Sequence, residues 1–200
     1  MVSIIIFSSS FMANIPLKEQ IPGGKGLIDN QALLQRAGVA LGMRVVDFGC
    51  GRKGHFALQA GKIVGPQGIV YAVDILRSAL ESLKTNAQIF GLSNIKPVWA
   101  DLEIIGSTKI PQGSVDFVMI NNLLFQVENK KAVLEHAIKL LKDGGKLLIT
   151  DWKKQDSPLG PSKEQRIGQE QVKKLVLQMG LKLKDEWDAG PYHWALVFEK

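Results

Sequence analysis

The chain has one cysteine in 200 residues, Cys50, which excludes an intrachain disulfide framework and a cysteine-rich metal site and points to a reducing, cytoplasmic setting. No metal is expected. Basic runs never exceed two residues, and the formal charge of +6 is mild. Residues 1–100 carry 10 basic and 5 acidic groups and residues 101–200 carry 15 and 14, so the excess is spread and a dedicated nucleic-acid surface is not supported. The apolar patch Val2-Ser3-Ile4-Ile5-Ile6-Phe7 lacks a positive flank and a cleavage pattern, and it is far below membrane-spanning length. Met12-Ala13-Asn14 reads as an alternative start to Met1, with residues 1–11 an extension. The length suits one α/β domain with a full core and leaves no room for a cofactor domain plus a separate substrate domain. Residues 1–28 are expected to form a partly disordered extension and loop, and residues 29–200 the domain.

What the chain does have is the run Val45-Val46-Asp47-Phe48-Gly49-Cys50-Gly51-Arg52-Lys53-Gly54, an apolar strand ending in an acid, then three glycines at G-x-G-x-x-G spacing. Gly49 and Gly51 let the backbone turn tightly and approach a ligand, and Gly54 opens the apolar helix Phe56-Ala57-Leu58, whose first amides face the same spot. An adenosine-containing cofactor fits that cradle. The spacing alone is a weak signal; the following strands strengthen it. Ile69–Val73 ends in Asp74, where a doubly wound sheet places an acceptor for ribose hydroxyls, and Ile95–Ala100 ends in Asp101. Three successive strands thus deliver Asp47, Asp74 and Asp101 to one edge.

Further along, Asp29 caps a helix to about Arg36, and residues 76–90 form a helix stopped by Gly91. A fourth strand covers residues 115–120 and ends at Asn121-Asn122. The next helix runs from about Glu128 to Lys142, Asp143-Gly144-Gly145 stops it, and a fifth strand covers residues 146–150. A helix over about 163–179 then precedes two strands joined only by Asp188-Ala189-Gly190-Pro191. A link that short excludes a parallel crossover, so the last two strands form an antiparallel hairpin.

These features resemble the class I S-adenosylmethionine-dependent methyltransferases over residues 29–200. The phrases Arg44–Gly51, Val70–Asp74, Leu140–Leu147 and Gly190-Pro191-Tyr192-His193-Trp194 are similar to the ubiquinone/menaquinone-biosynthesis-like branch. The resemblance implies a Rossmann-like doubly wound α/β sheet of seven strands, order 3-2-1-4-5-7-6, with strand 7 antiparallel. It also implies S-adenosylmethionine as cofactor, with S-adenosylhomocysteine as product. By that resemblance Gly49, Gly51 and Gly54 approach the methionine part, and Asp47 reaches its ammonium. Asp74 takes the ribose hydroxyls, Ile75 packs on adenine, Asp101 accepts from its amino group, Leu102 offers a backbone amide, and Asn121 sits near the sulfonium. Most members read G-x-G-x-G, so the turn here is one residue longer.

Transfer from a sulfonium needs no metal, and alignment of the reactants can supply about 7–11 kcal/mol. The catalytic residue is therefore unassigned, with Asn121 and His193 the candidates; His55 is a further candidate base. His136 is expected on the outer face of its helix. Trp152, at the carboxyl edge after strand five, could wall an acceptor pocket with Phe125, Gln126 and Tyr192. Asn121-Asn122-Leu123-Leu124 lacks the Asn/Asp-Pro-Pro-aromatic pattern for planar amino nitrogens, and one cysteine disfavours arsenite as acceptor. A small-molecule acceptor, quinone-like or another metabolite, is the leading reading. The alternatives are RNA or protein methylation, a nicotinamide-dependent oxidoreductase and a non-catalytic adenosine binder. Against the oxidoreductase, Asp47 would repel a diphosphate and suits a cofactor with an ammonium.

Overall fold

The computed structural model describes residues 27–200. The expectations for the apolar patch, the Met12 start and most of the N-terminal loop lie outside the described residues. The chain begins with helix α1 (Asn30–Ala37), capped by the Asp29 carboxylate, which accepts from the Ala32 amide at 3.0 Å, and ended by Gly38 at φ 95°. There follow β1 (Arg44–Phe48), α2 (His55–Val64), β2 (Ile69–Asp74), α3 (Arg77–Ile89), β3 (Ile95–Trp99) and β4 (Val115–Asn121). The chain continues through α4 (Lys130–Leu140), β5 (Leu141–Trp152), α5 (Gln169–Gln178), β6 (Lys182–Asp188) and β7 (His193–Glu199).

The strands form one seven-stranded sheet in the order β3-β2-β1-β4-β5-β7-β6. β1 to β5 run parallel, and β7 runs antiparallel to both β5 and β6. The expected topology holds, because runs such as Val70–Val73 and Phe117–Ile120 are apolar on both faces and so must lie between two helical layers. Val45, Ala72, Met119 and Leu148 pack toward α1, α2 and α3. Val46, Ile120, Ile149 and Phe198 pack toward α4 and α5.

Three boundaries differ from the sequence reading. β5 begins at Leu141 instead of residue 146, since Asp143-Gly144-Gly145 sits at a shift in strand register: Val115 pairs with Leu141, then Phe117 with Lys146. Gly144 (φ 74°) donates to the Lys200 carbonyl at 3.0 Å, so the glycines serve the sheet and do not merely end a helix. α4 is correspondingly shorter than 128–142. α5 starts at Gln169, not near 163, because the side chain of Arg166 is engaged with the preceding loop. His136 is the clear correction: it is buried, not on the outer face, lying three residues after Val133 and four before Leu140 on the packed face of α4. Among the described residues no helix is long and apolar enough to cross a membrane.

Candidate functional site

The parallel strands β1, β2, β3 and β4 finish at one edge, and the turn after β1 is held there by backbone bonds. The Gly49 and Cys50 amides donate to the Val73 carbonyl at 2.9 and 3.0 Å. Gly51 adopts φ 64°, and a Cβ built on it meets nothing within 4 Å, so the turn faces open space at this point. Gly54, at φ 59°, is different: a Cβ there would collide with the Leu83 side chain, which fixes how closely α2 approaches α3. Cys50 is buried inside the turn, and burial together with Asp47 and Asp74 pushes its thiol up, making it a packing residue and no nucleophile.

Asp74 does more at this edge than the sequence suggests. One oxygen accepts from the Gly51 amide and the other from the Leu76 amide, both at 2.9 Å, so the carboxylate pins the glycine turn to the end of β2. A carboxylate has about four acceptor sites, and two bonds leave capacity for a diol. Ile75 stands beside it 56 % exposed, an apolar surface free to cover a flat ring.

Asp47, at the end of β1, is buried with one carboxylate oxygen lacking any partner. Burial, then the charge of Asp74, raises its pKa to about 7, weakly opposed by the Ala57 amide and by the Asn121 side chain, which lies near it without closing a hydrogen bond. A buried carboxyl with no cation beside it is suited to receive one. Asn121 ends β4 with both side-chain polar atoms buried and unpartnered. Asn122 follows at φ 52°, a backbone state that asparagine tolerates better than most residues.

Asp101 and Leu102 lie in the connection from β3 to β4, and α4 grips that connection twice. His136 places Nδ1 3.3 Å from the Leu102 carbonyl, which can only accept, so Nδ1 carries the proton. Its Nε2 then accepts from the Thr108 hydroxyl at 3.2 Å and the Gly106 amide at 3.4 Å, and burial lowers its pKa in keeping with a neutral ring. The Glu103 carboxylate receives the Glu128 and Asn129 amides at 3.2 and 2.7 Å. Asp101 itself accepts from the Glu103 amide at 2.9 Å.

At the far side of the edge β5 brings up Thr150, Asp151 and Trp152, and β7 brings up His193. His193 is fully buried, not a surface residue; its ring centroid lies 4.1 Å from that of Trp152 and neither ring nitrogen has a partner. Burial, with Arg166 and Lys153 nearby, lowers its pKa to about 4. Asp151 is buried on the opposite face, raised to about 7 by burial despite the amides of Trp152, Phe125 and Leu124. Trp152 is buried as the rim residue expected there, whereas Phe125 and Tyr192 are half-buried, Gln126 is exposed, and His55 is exposed at the start of α2.

Sequence reasoning missed Arg166. Its guanidinium is buried and donates to four backbone carbonyls, those of Pro161, Lys153, Gln155 and Leu159, at 2.7–3.0 Å. It also lies 5.5 Å over the Trp152 ring. One side chain thus organises the β5–α5 connection. Replacing Arg166 with alanine leaves the Pro161 and Gln155 carbonyls without donors, while those of Lys153 and Leu159 keep the Gln155 amide and the Ser157 hydroxyl, and it is expected to destabilise the protein by about 2–4 kcal/mol in urea unfolding. Lysine, with three donors and no planar fork, recovers only part of this. No local sequence signal marks this residue, because all its partners belong to an irregular loop.

Among the described residues no cluster of histidine, cysteine and carboxylate side chains could hold a metal. The arrangement does fit an adenosine carrying a cationic amino-acid end: a glycine turn, a carboxylate with spare acceptor capacity at β2, and an orphaned buried carboxylate at β1. A family described as "Methyltransferase domain" matches residues 41–189. The chain belongs to this family.

Within it, the chain is 31% identical over 144 residues to a ubiquinone/menaquinone biosynthesis C-methyltransferase UbiE of Pseudomonas putida, covering 72% of this chain and 55% of that protein. It is 32% identical over 114 residues to an arsenite methyltransferase of Aquipseudomonas alcaligenes, covering 55% of this chain and 33% of that protein. The chain therefore spans about half the length, or less, of these curated relatives. A crystal structure of a SAM-dependent methyltransferase from Aquifex aeolicus superposes with a TM-score of 0.79 at 25% identity, covering 86% of this chain and 89% of that one. Family, sheet order and site chemistry agree on S-adenosylmethionine as the cofactor of this methyltransferase-domain fold, and they speak against the nicotinamide-dependent oxidoreductase reading.

Proposed function

We propose that this chain transfers a methyl group from S-adenosylmethionine to a small-molecule acceptor, quinone-like or another metabolite, with residues 29–200 as the methyltransferase domain and the cytoplasm as its setting. The observation that carries this reading is the orphaned, buried Asp47 carboxylate beside a glycine turn pinned by Asp74. In this reading Asp47 holds the cofactor ammonium, while Gly49, Gly51 and Gly54 give the backbone room for the methionine part. Asp74 receives the ribose hydroxyls, and Ile75 covers adenine. Asp101 and the Leu102 amide address its ring edge, and Asn121 lies by the sulfonium. When bound, the cofactor supplies an electrophilic methyl carbon on a positively charged sulfur. The protein's part is then to hold the acceptor in line with that carbon and to exclude water. The family match, and a relative named as a C-methyltransferase of quinone biosynthesis, support a small acceptor; the spread charge gives no basic surface for RNA.

Two measurements test it. Calorimetric titration is expected to show binding of S-adenosylhomocysteine and none of NADH; the reverse result ends the proposal. Incubation with radiolabelled methyl donor and fractionated cell extract is expected to place label in the small-molecule fraction. Label in RNA or protein reassigns the acceptor, and tight binding without any transfer favours the non-catalytic reading.

A further inference from the structure

The site contains more unpaired buried polarity than an amino-acid end of a cofactor can use. The side-chain atoms Asp47 Oδ2, both polar atoms of Asn121, Thr150 Oγ1, and both ring nitrogens of His193 are closed off from solvent and make no hydrogen bond. These groups are not scattered. Asp47 lies beside Met119 and, two residues on, Asn121 lies beside Thr150; Thr150 lies beside Ala195, and Trp152 beside His193. Strand side chains alternate, so residues two apart share a face, and Val45, Met119, Leu148, Ala195 and Val197 all pack toward the α2 side. Asp47, Asn121, Thr150 and His193 therefore form one row on one face of one edge. Neighbouring strands lie about 4.8 Å apart and residues rise about 3.3 Å along them, so the row runs obliquely, about 14 Å across three gaps and about 13 Å along the strands. The Asp47 end faces the glycine turn. Thr150 and His193 lie two and three strands away from that turn.

We infer that Thr150 and His193 are the polar anchor for the methyl acceptor, and that the acceptor is an uncharged small molecule presenting a hydroxyl. This rests on the methyltransferase reading and names the substrate class of the same site. A neutral imidazole offers one N–H donor and one lone pair, and a threonine hydroxyl offers both, which matches a group that donates and accepts. A carboxylate or phosphate would lose its water here without gaining a free cation, because Arg166 is committed to four carbonyls and Lys153 to Asp188 at 2.9 Å. Burial holds the ring neutral, helped by the positive charges of Arg166 and Lys153, and those charges turn away a protonated amine. Trp152 lies against the imidazole at a tilt of 43°, and its own backbone carbonyl receives the Trp194 indole N–H at 3.1 Å, so the ring is held in place from the sheet side. Entry requires movement of residues 153–167, since Gly160 and Arg166 lie on Trp152.

The chain has three histidines, so ring-nitrogen signals from protein labelled with ¹⁵N-histidine are few, and the spectrum of His193→Gln assigns the one in question. The full chain is saturated with S-adenosylhomocysteine and titrated with catechol, with its dimethyl ether, and with acetate and ethylammonium. The expected result is a shift of the His193 ring signals with catechol alone, weakened about tenfold in Thr150→Val, which removes one hydrogen bond. S-adenosylhomocysteine binding stays as in the parent chain. The melting temperature of Thr150→Val is expected to rise or hold, because an unpaired buried hydroxyl is replaced by a methyl; a structural role for Thr150 requires it to fall. Silence of the His193 signals toward catechol, an equal response to the ether or acetate, or a fall in the Thr150→Val melting temperature overturns the inference. Failure of S-adenosylhomocysteine to bind at all overturns the methyltransferase reading instead.

Discussion

Replacing Asp74 with alanine is expected to lower the affinity for S-adenosylhomocysteine by about 10²- to 10⁴-fold, the loss of two charge-assisted hydrogen bonds at about 1.5–3 kcal/mol each. The effect has two sources that act together. The ribose hydroxyls lose their acceptor, and the Gly51 and Leu76 amides, each 2.9 Å from the carboxylate, lose the bonds that keep the glycine turn in place. Asp74→Asn separates the two. Its single amide oxygen still accepts from one backbone amide, so the turn is expected to survive in part while the affinity stays low. Calorimetric titration of both variants gives the answer, and an alanine variant within threefold of the parent chain removes Asp74 from the cofactor seat.

Acid is expected to loosen the cofactor through Asp47. The carboxyl is raised to about 7 in the free protein, so it is ionised above that pH and neutral below it. An ammonium bound against it requires the ionised form. Affinity for S-adenosylhomocysteine should therefore be level above pH 7 and fall toward tenfold per unit as the pH drops below it, the slope for one proton taken up on release. Asp47→Asn binds weakly at every pH and without that slope. Stability moves in the opposite sense. The folded state holds this proton more tightly than the unfolded chain, whose carboxyl titrates near 3.8, so the contribution is favourable at low pH and is lost as the pH rises from about 4 through 7. Above pH 7 the free protein carries an uncompensated buried charge, and Asp47→Asn should melt higher there than the parent, the difference shrinking toward pH 4. Asp151, also raised to about 7, leaves a similar slope in the variant, while His193, lowered to about 4, opposes both as the pH falls through 6.5. Melting curves across that range, compared at each pH, check the sign.

Much of the fold, and the gathering of the proposed cofactor residues at one edge, was legible because the signals are local. An apolar run ending in an acid, glycines at a turn and a four-residue link between the last strands each constrain their own neighbourhood. Asp47, Gly49, Gly51, Gly54, Asp74 and Asn121 all come to one edge, as a parallel sheet requires of residues that end its strands. The residues that escaped notice draw their roles from distant partners. His136 was within reach, since its spacing from Val133 and Leu140 already puts it on the packed face of α4; what spacing could not give is the contact with Leu102, 34 residues away. Arg166 has no pattern around it, because its four carbonyl partners acquire a common centre only when the loop closes. The burial of His193 follows from its pairing with Trp152, and that register is set by the whole sheet. The early start of β5 was hidden by glycines, which mark a bulge as readily as a helix end.

The reversed direction of β7 has a consequence for how the protein comes into being. Because that strand runs against its neighbours, it carries its first residue, His193, to the rim where β1, β4 and β5 finish. During synthesis on a ribosome, the residues proposed to face the nucleoside are all translated by Asn121, and His193 follows 72 residues later. On the proposed reading, the residues for the cofactor are thus complete in the nascent chain some seventy residues before the acceptor's anchor is.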